Sequence, residues 1–586
     1  MTIFHSLISR YVKFESLAII AFCDCYPVTE FIKTPKSFVS FFYSLYNECD
    51  NKIKGGRVMA RSSGVLMHVS SLPNKFGIGT FGQSAYDFVD FLVRTKQTYW
   101  QILPLGTTSY GDSPYQSFSA IAGNLHFIDF DLLSKEGLLE PADYENVEFG
   151  DDPENVDFGT IFINRRPILE KAVANFLKRG KLEGYTQFVA ENAHWLEDYA
   201  EFMAIKEDFG LVSWTEWDED IRLRDKKALN EYRKKLVKEI EFHKVTQYFF
   251  FTQWLKLKAY ANENDIQIIG DMPIYVSADS VEMWTNSKLF KVDEFKMPIV
   301  VAGTPPDNFS DDGQYWGNPI YDWEYMEKDK YSWWILRMKE SFKIYDMVRI
   351  DHFRGFESYW AVPFGSPTAA DGRWEKGPDV KLFKQIKKEL GDLNIIAEDL
   401  GFLTQEVIDM RDATGFPGMK ILQFGFDGTD SMELPHNYVR NTISYLGTHD
   451  NETITGWYQS VPEYIRHNAD KYSNRKDDET IAEALNRTLS ASVSDYVIFT
   501  MQDLLDLDNS ARMNEPSTIG KNWKWRMKED AITEAIEGKL TDYTVTYFRA
   551  NQNIVKKEAE KAKAAQKEKS KSTKKAVSRP KTKTPK

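Results

Sequence analysis

Eight short apolar runs recur along the chain, at 64–72, 99–105, 266–274, 346–351, 394–399, 420–426, 444–450 and 495–504. Each is followed by a helix-like stretch or a long connection. Apolar runs of strand length alternating with amphipathic helical sequence predict a parallel sheet, because parallel neighbours need a crossover between them. Eight such strands predict a closed (β/α)8 TIM barrel of the α/β class. Two connections exceed what a barrel needs. Residues 106–265 read as mostly helical, with RRPILEKAVANFLKRG as a clear case, and residues 275–345 read as loop-rich, with Pro298, Pro305, Pro306 and Pro319. Both are expected to be insertions after the second and third strands of one catalytic unit spanning 59–552.

The two ends differ from this body. Residues 1–58 hold a leader-like apolar run, LAIIAFC, but Glu15 intrudes and no small-x-small cleavage site follows. The codons for KGGRVM can carry a purine-rich ribosome-binding sequence just before Met59, so residues 1–58 are expected to be a non-native or disordered extension. Residues 553–586 carry 12 Lys, 1 Arg and 3 Glu, a net charge of +10, and are expected to form a disordered basic tail. The first 58 residues add a net +2, so the overall −13 leaves −25 on the stretch between. A body this acidic repels phosphate backbones, which argues against nucleic acid as a partner and suits a neutral substrate. No run approaches the ~18 apolar residues of a membrane span. The three cysteines, Cys23, Cys25 and Cys49, all precede the body, which excludes a cysteine-held metal or a cysteine nucleophile there. A cytoplasmic protein is expected.

One motif misleads. GIGTFG at 77–82 has the dinucleotide-loop spacing, but Pro73 and Asn74 separate it from the strand, and the next strand ends in Leu105-Gly106 without an acid. The informative residues are carboxylates at or near strand ends: Asp271, Asp351, Glu398 and Asp450. In a TIM barrel that end is where catalytic side chains converge. Any one of them suits a turn or cap, whereas four on neighbouring strands favour function. Arg349 lies two residues before Asp351, so both face one side of a strand and the cation favours the ionised acid. Glu398 and Asp399 face opposite ways, and periodicity alone does not say which faces inward. Paired carboxylates are what glycoside chemistry needs, one ionised to attack and one protonated to donate. Tyr110, Tyr115, Tyr315, Trp316, Trp523 and Trp525, all in loop-like sequence, suit a groove for sugar rings.

Several long motifs then occur in order: SYGDSPYQSFSAIAGN, IIGDMPIYV, GTPPDNFSDDGQYWGNP, MVRIDHFRGFESYW, IIAEDLG, GTHDNET and TIGKNWKWR. Over about 59–549 the chain resembles the 4-α-glucanotransferase (amylomaltase, disproportionating enzyme) family of the α-amylase clan. The resemblance implies Asp351 as nucleophile, Glu398 as general acid/base and Asp450 as the third carboxylate. It implies Ser113, Tyr115, Asp271, Asp307, Trp316, Arg349 and His449 as substrate contacts, Tyr110 in a secondary glucan site, and 303–319 as a loop over the groove. The implied activity moves a segment of an α-1,4-glucan to a sugar 4-hydroxyl, with maltooligosaccharides, soluble starch or glycogen-type glucans as donors and glucose as an acceptor. No metal or organic cofactor is implied. A hydrolase of the same clan, or an inactive glucan-binding protein, would share much of the pattern. The family often has Asp where this chain has Thr80, a change expected to touch a helix cap.

Overall fold

All eight apolar runs become strands of one closed parallel barrel. In the computed structural model, residues 61–577 are described apart from Tyr110, 181–182, 307–310 and Phe402. The expected extension at 1–58 lies outside them. The described strands are β1 (Ser62–Leu66), β2 (Tyr99–Gln101), β3 (Gln267–Pro273), β4 (Val300–Thr304), β5 (Gln314–Pro319), β6 (Met347–Asp351), β7 (Ser358–Pro363), β8 (Arg373–Lys376), β9 (Ile395–Ala397), β10 (Gly418–Ile421), β11 (Thr442–Tyr445) and β12 (Tyr496–Thr500). The barrel runs β1-β2-β3-β6-β9-β10-β11-β12 and closes back on β1. Alternate side chains point inward along each strand. Leu66, Ile269, Met347, Ile396, Met419, Ile443 and Ile498 meet there as a packed interior. Each such side chain removed from water stabilises the fold by ~1.5–3 kcal/mol.

The long β2–β3 connection is helical as expected, with helices Phe158–Lys178, Glu183–Asp208 and Val237–Glu263. The last of these returns to the barrel, where the Trp254 indole N–H donates to the Ile344 carbonyl at 3.1 Å. The β3–β6 connection is more ordered than its prolines suggest. It supplies β4 and β5, and the β6–β9 connection supplies β7 and β8, to form one antiparallel sheet in the order β5-β4-β7-β8. Sequence reading missed this sheet because its strands are only four to six residues long and come from two separate connections.

The tail also differs from expectation. Gln552–Val577 is helical rather than disordered from residue 553. Its Ala, Lys, Glu and Gln content has high helix propensity. Its first turn is anchored, with Ile554 buried in the main core, Glu558 paired with Lys96 at 3.0 Å, and Lys557 paired with Asp265. Thr80 is not itself a helix cap. Its hydroxyl donates to Asp129 at 2.6 Å, and Asp129 in turn caps the helix Phe130–Lys135.

Candidate active site

Register decides which acids meet. Ile350 on β6 pairs with Ala397 on β9, so the next residues, Asp351 and Glu398, end neighbouring strands side by side. Ile396 points into the barrel interior. Two residues on, Glu398 points the same way, into the mouth, and Asp399 points out. There Asp399 accepts from Arg411 at 2.6 Å and from the Met419 amide at 2.8 Å. The structure thus answers the question that periodicity left open.

Beneath the acids lies a buried ionic stack. The Arg349 guanidinium contacts Asp271 at 2.7 Å and Asp351 at 3.0 Å. Asp271 also accepts from the Tyr115 hydroxyl at 2.9 Å. The Asp271 carboxylate has no exposed surface and does not open onto the groove. In this structure it supports Arg349 and Tyr115 from below. Asp351 itself is 29% exposed and opens upward.

Glu398 is held by main-chain donors, from the His352 amide at 2.6 Å and the Leu400 amide at 3.0 Å. His352 takes a left-handed conformation (φ 53°), which turns the chain sharply after Asp351 and aims that amide. Burial raises the Glu398 carboxyl to about 7, against the pull of Arg349 and with the push of Asp351. Burial likewise raises Asp351, which Arg349 opposes and Asp271 and Asp450 reinforce. Asp450 differs. Burial works against its charge, but His449 and the Asn514 amide at 2.6 Å hold it well below the usual carboxylate range. His449 is raised in turn, its desolvation outweighed by Asp450 at 3.2 Å. The His449 ring stacks on Tyr115, with centroids 5.2 Å apart.

Above these groups runs an open groove of about 630 Å³, lined by Ser113, Tyr115, Trp316, Asp351, His449, Asp450 and Trp523 among others. Trp316 meets His352 edge-on at 4.8 Å. Eight predicted residues, with Tyr315 among them, therefore line one groove, with Glu398 beside it and Arg349 and Asp271 below. Tyr110 and Asp307 lie outside the described residues. Trp525 does not join the groove but is buried in the core. Sequence reasoning missed Asn514, Tyr275, which also lines the groove, and the His352 amide. Asn514 sits in a Pro- and Gly-containing stretch with no periodic signal, and an amide contribution has no side-chain signature. Among the described residues no three His, Cys, Asp or Glu side chains converge as metal ligands.

An ionisable pair of this kind at the C-terminal mouth places the protein among the (β/α)8-barrel enzymes that work with two carboxyl groups. The chain belongs to the 4-alpha-glucanotransferase family, whose model matches residues 67–533. It is 60% identical to the 4-alpha-glucanotransferase of Streptococcus pneumoniae over 498 residues, covering 84% of this chain and 99% of that one. The 4-alpha-glucanotransferase of Thermus thermophilus is 44% identical, covering 80% of this chain and 95% of its own length. The solved amylomaltase from Streptococcus agalactiae in complex with acarbose superimposes with a TM-score of 0.83 at 54% identity, covering 84% of this chain and all of that chain.

Proposed function

We propose that this protein transfers α-1,4-glucan segments by a retaining double displacement. Asp351, ionised beside Arg349, attacks the anomeric carbon. Glu398, protonated at first, gives its proton to the departing glycosidic oxygen, and the reducing-end segment leaves. A covalent β-glycosyl ester on Asp351 remains. The 4-hydroxyl of glucose or another glucan then enters, Glu398 takes its proton, and the new α-1,4 bond releases Asp351. Asp450, held ionised by His449 and Asn514, is assigned to ring hydroxyls of the sugar under attack. Tyr115, Trp316 and Trp523 offer faces for sugar rings, and Ser113 a polar contact at the rim. Tyr110 and Asp307 stay in the reading as outer glucan contacts.

The observation that carries this reading is the side-by-side placement of Asp351, paired to Arg349, and Glu398, with its raised carboxyl, on adjacent strand ends. Donors are maltooligosaccharides or longer starch- or glycogen-type glucans. Among the described residues no helix is long and apolar enough to cross a membrane. A cytoplasmic setting belongs to the same reading. The test is maltotriose alone, with products separated by length. Glucose plus a ladder of longer oligosaccharides, at nearly constant reducing ends, is expected. A steady rise in reducing ends without longer products would establish a hydrolase instead.

A further inference from the structure

The antiparallel sheet carries a line of aromatics that begins in the groove and leaves it. Tyr315 on β5 pairs with Gly303 on β4, Gly303 pairs with Trp360 on β7, and Trp360 pairs with Trp374 on β8. Directly opposed residues of antiparallel strands project from the same face. These four positions therefore form one cross-strand row, about three strand spacings of ~4.8 Å in length. The opposite face is used for the core, through Val300, Ala302, Tyr359 and Ala361. On the row's own face Val301 and Val362 are buried with Ala369 in a small cluster against which Trp360 packs, while the two end rings, Tyr315 and Trp374, stay part-exposed.

Each position is shaped for this. Tyr315 lines the groove, is 39% exposed, and is steadied where its hydroxyl accepts from the Gly365 amide at 3.2 Å. Gly303 leaves no side chain between the first ring and the next. Trp360 is fixed in place. Its indole N–H donates to the Ala369 carbonyl at 2.8 Å, and a Cβ at Gly372 would lie only 2.2 Å from its Nε1. Trp374, at the far end, is 42% exposed. It packs against Trp360 at 5.3 Å and has the buried Arg354 guanidinium 4.1 Å from its ring centroid. A cation against one face and an indole at its edge hold Trp374 at a fixed angle while much of its surface stays in water. A tryptophan held at a fixed angle by these two contacts, on an edge strand, still offers part of its ring to a ligand.

We propose that Trp374 and the row behind it form an outer platform for the part of an α-1,4-glucan that extends beyond the groove. The occupant is a neutral polysaccharide, since sugar rings present apolar faces to aromatics and the acidic body disfavours anionic polymers. The row is continuous with the groove through Tyr315, so one chain can occupy both. This inference rests on the glucan reading of the groove, and its test separates the two. Wild type and Trp374→Ala are run in native gels with and without soluble amylose, and their kinetics are measured on amylose plus glucose and on maltotriose alone. A ring lost from a stacking site should raise the KM for amylose about fivefold relative to that for maltotriose. Retardation by amylose should weaken in parallel, and Trp374→Tyr should recover most of both. Equal shifts on the two substrates would mean that Trp374 acts through the sheet on the groove, and would overturn the platform, as would no shift on either. Amylose retardation that depends on Trp374 in a protein without transfer activity would leave the platform standing and count against the proposed reaction.

Discussion

The two ends of the barrel both bury charge, and they treat it in opposite ways. At the N-terminal end, Arg549 is wholly buried and donates to main-chain carbonyls only: Ser490 and Ser494 at 2.9 Å, Ser492 at 3.0 Å and Ser62 at 3.4 Å. These carbonyls lie at the start of β1, in the last turn of the helix Ile481–Ala491 and in the turn before β12. Each of its nitrogens has a partner, and nothing about it faces solvent. At the C-terminal end, Asp351 and Glu398 are crowded together with part of their hydrogen-bonding capacity open to the groove, and their carboxyls are pushed upward. A saturated buried charge closes a structure, whereas an unsaturated one is held ready for a substrate. The first kind should contribute stability, and the second should diminish it in exchange for reactivity.

The largest effect should come from Asp351→Asn, which removes the attacking oxygen. Turnover should fall by about 10⁴-fold or more, with Tm unchanged or raised, measured by maltotriose disproportionation and thermal melting. Near-normal turnover would move the nucleophile elsewhere.

Glu398→Gln should lower turnover by ~10²–10⁴ on maltotriose and by much less on an α-glucosyl fluoride, whose leaving group needs no proton. The wild-type pH profile should be a narrow bell belonging to the coupled pair. Activity is lost on the acid side as the nucleophile protonates, and on the alkaline side as the acid, near 7, loses its proton. The alkaline limb for glycosidic donors should vanish in the variant. Stability follows the same shift. The folded-state pKa of Glu398 lies above its unfolded value, so its contribution is complete below the unfolded pKa and is lost as pH rises through about 7. Glu398→Gln should therefore raise Tm at pH 8 more than at pH 5. A larger gain at pH 5 would contradict the idea that the mouth trades stability for reactivity.

Arg549→Met should behave in the opposite sense. The carbonyls of Ser490 and Ser492 would keep Arg61 as a donor, so the loss falls on those of Ser494 and Ser62, at a cost of ~1–3 kcal/mol of stability, while turnover per folded molecule stays normal. Urea melts and active-site titration measure the two separately.

Asp399→Asn should give the smallest effect. It weakens one buried ion pair with Arg411, costing ~1–2 kcal/mol in stability, and spares most of the chemistry because the side chain faces away from the mouth. A loss of turnover matching that of Glu398→Gln would reverse the assignment of which neighbour faces inward.

Much of this was readable beforehand, for identifiable reasons. All eight barrel strands announced themselves because strands buried on both faces are short continuous apolar runs. Asp351 and Arg349 stood out because a two-residue spacing on a strand guarantees a shared face. Glu398 against Asp399 was not decidable from spacing, since the answer depended on β9 pairing with β6 in a register that put Ile396 inside. The small sheet escaped because β5 and β8 are part-exposed edge strands without an apolar run. Asp271 looked like its fellow acids, and only the pairing of β3 with β6 revealed that Arg349 closes over it.

The grip on Glu398 by the amides of His352 and Leu400 has a consequence for inheritance. Both donors belong to the main chain, so the side chains at 352 and 400 do not themselves supply the grip, although the left-handed backbone at 352 restricts which residues keep that amide aimed. Among coded substitutions only proline would delete either donor. The grip on the proton carrier is thus indifferent to side-chain chemistry at 400, whereas a library at 352 should return active clones mainly with residues that tolerate left-handed backbone, Gly, Asn and Asp before β-branched ones.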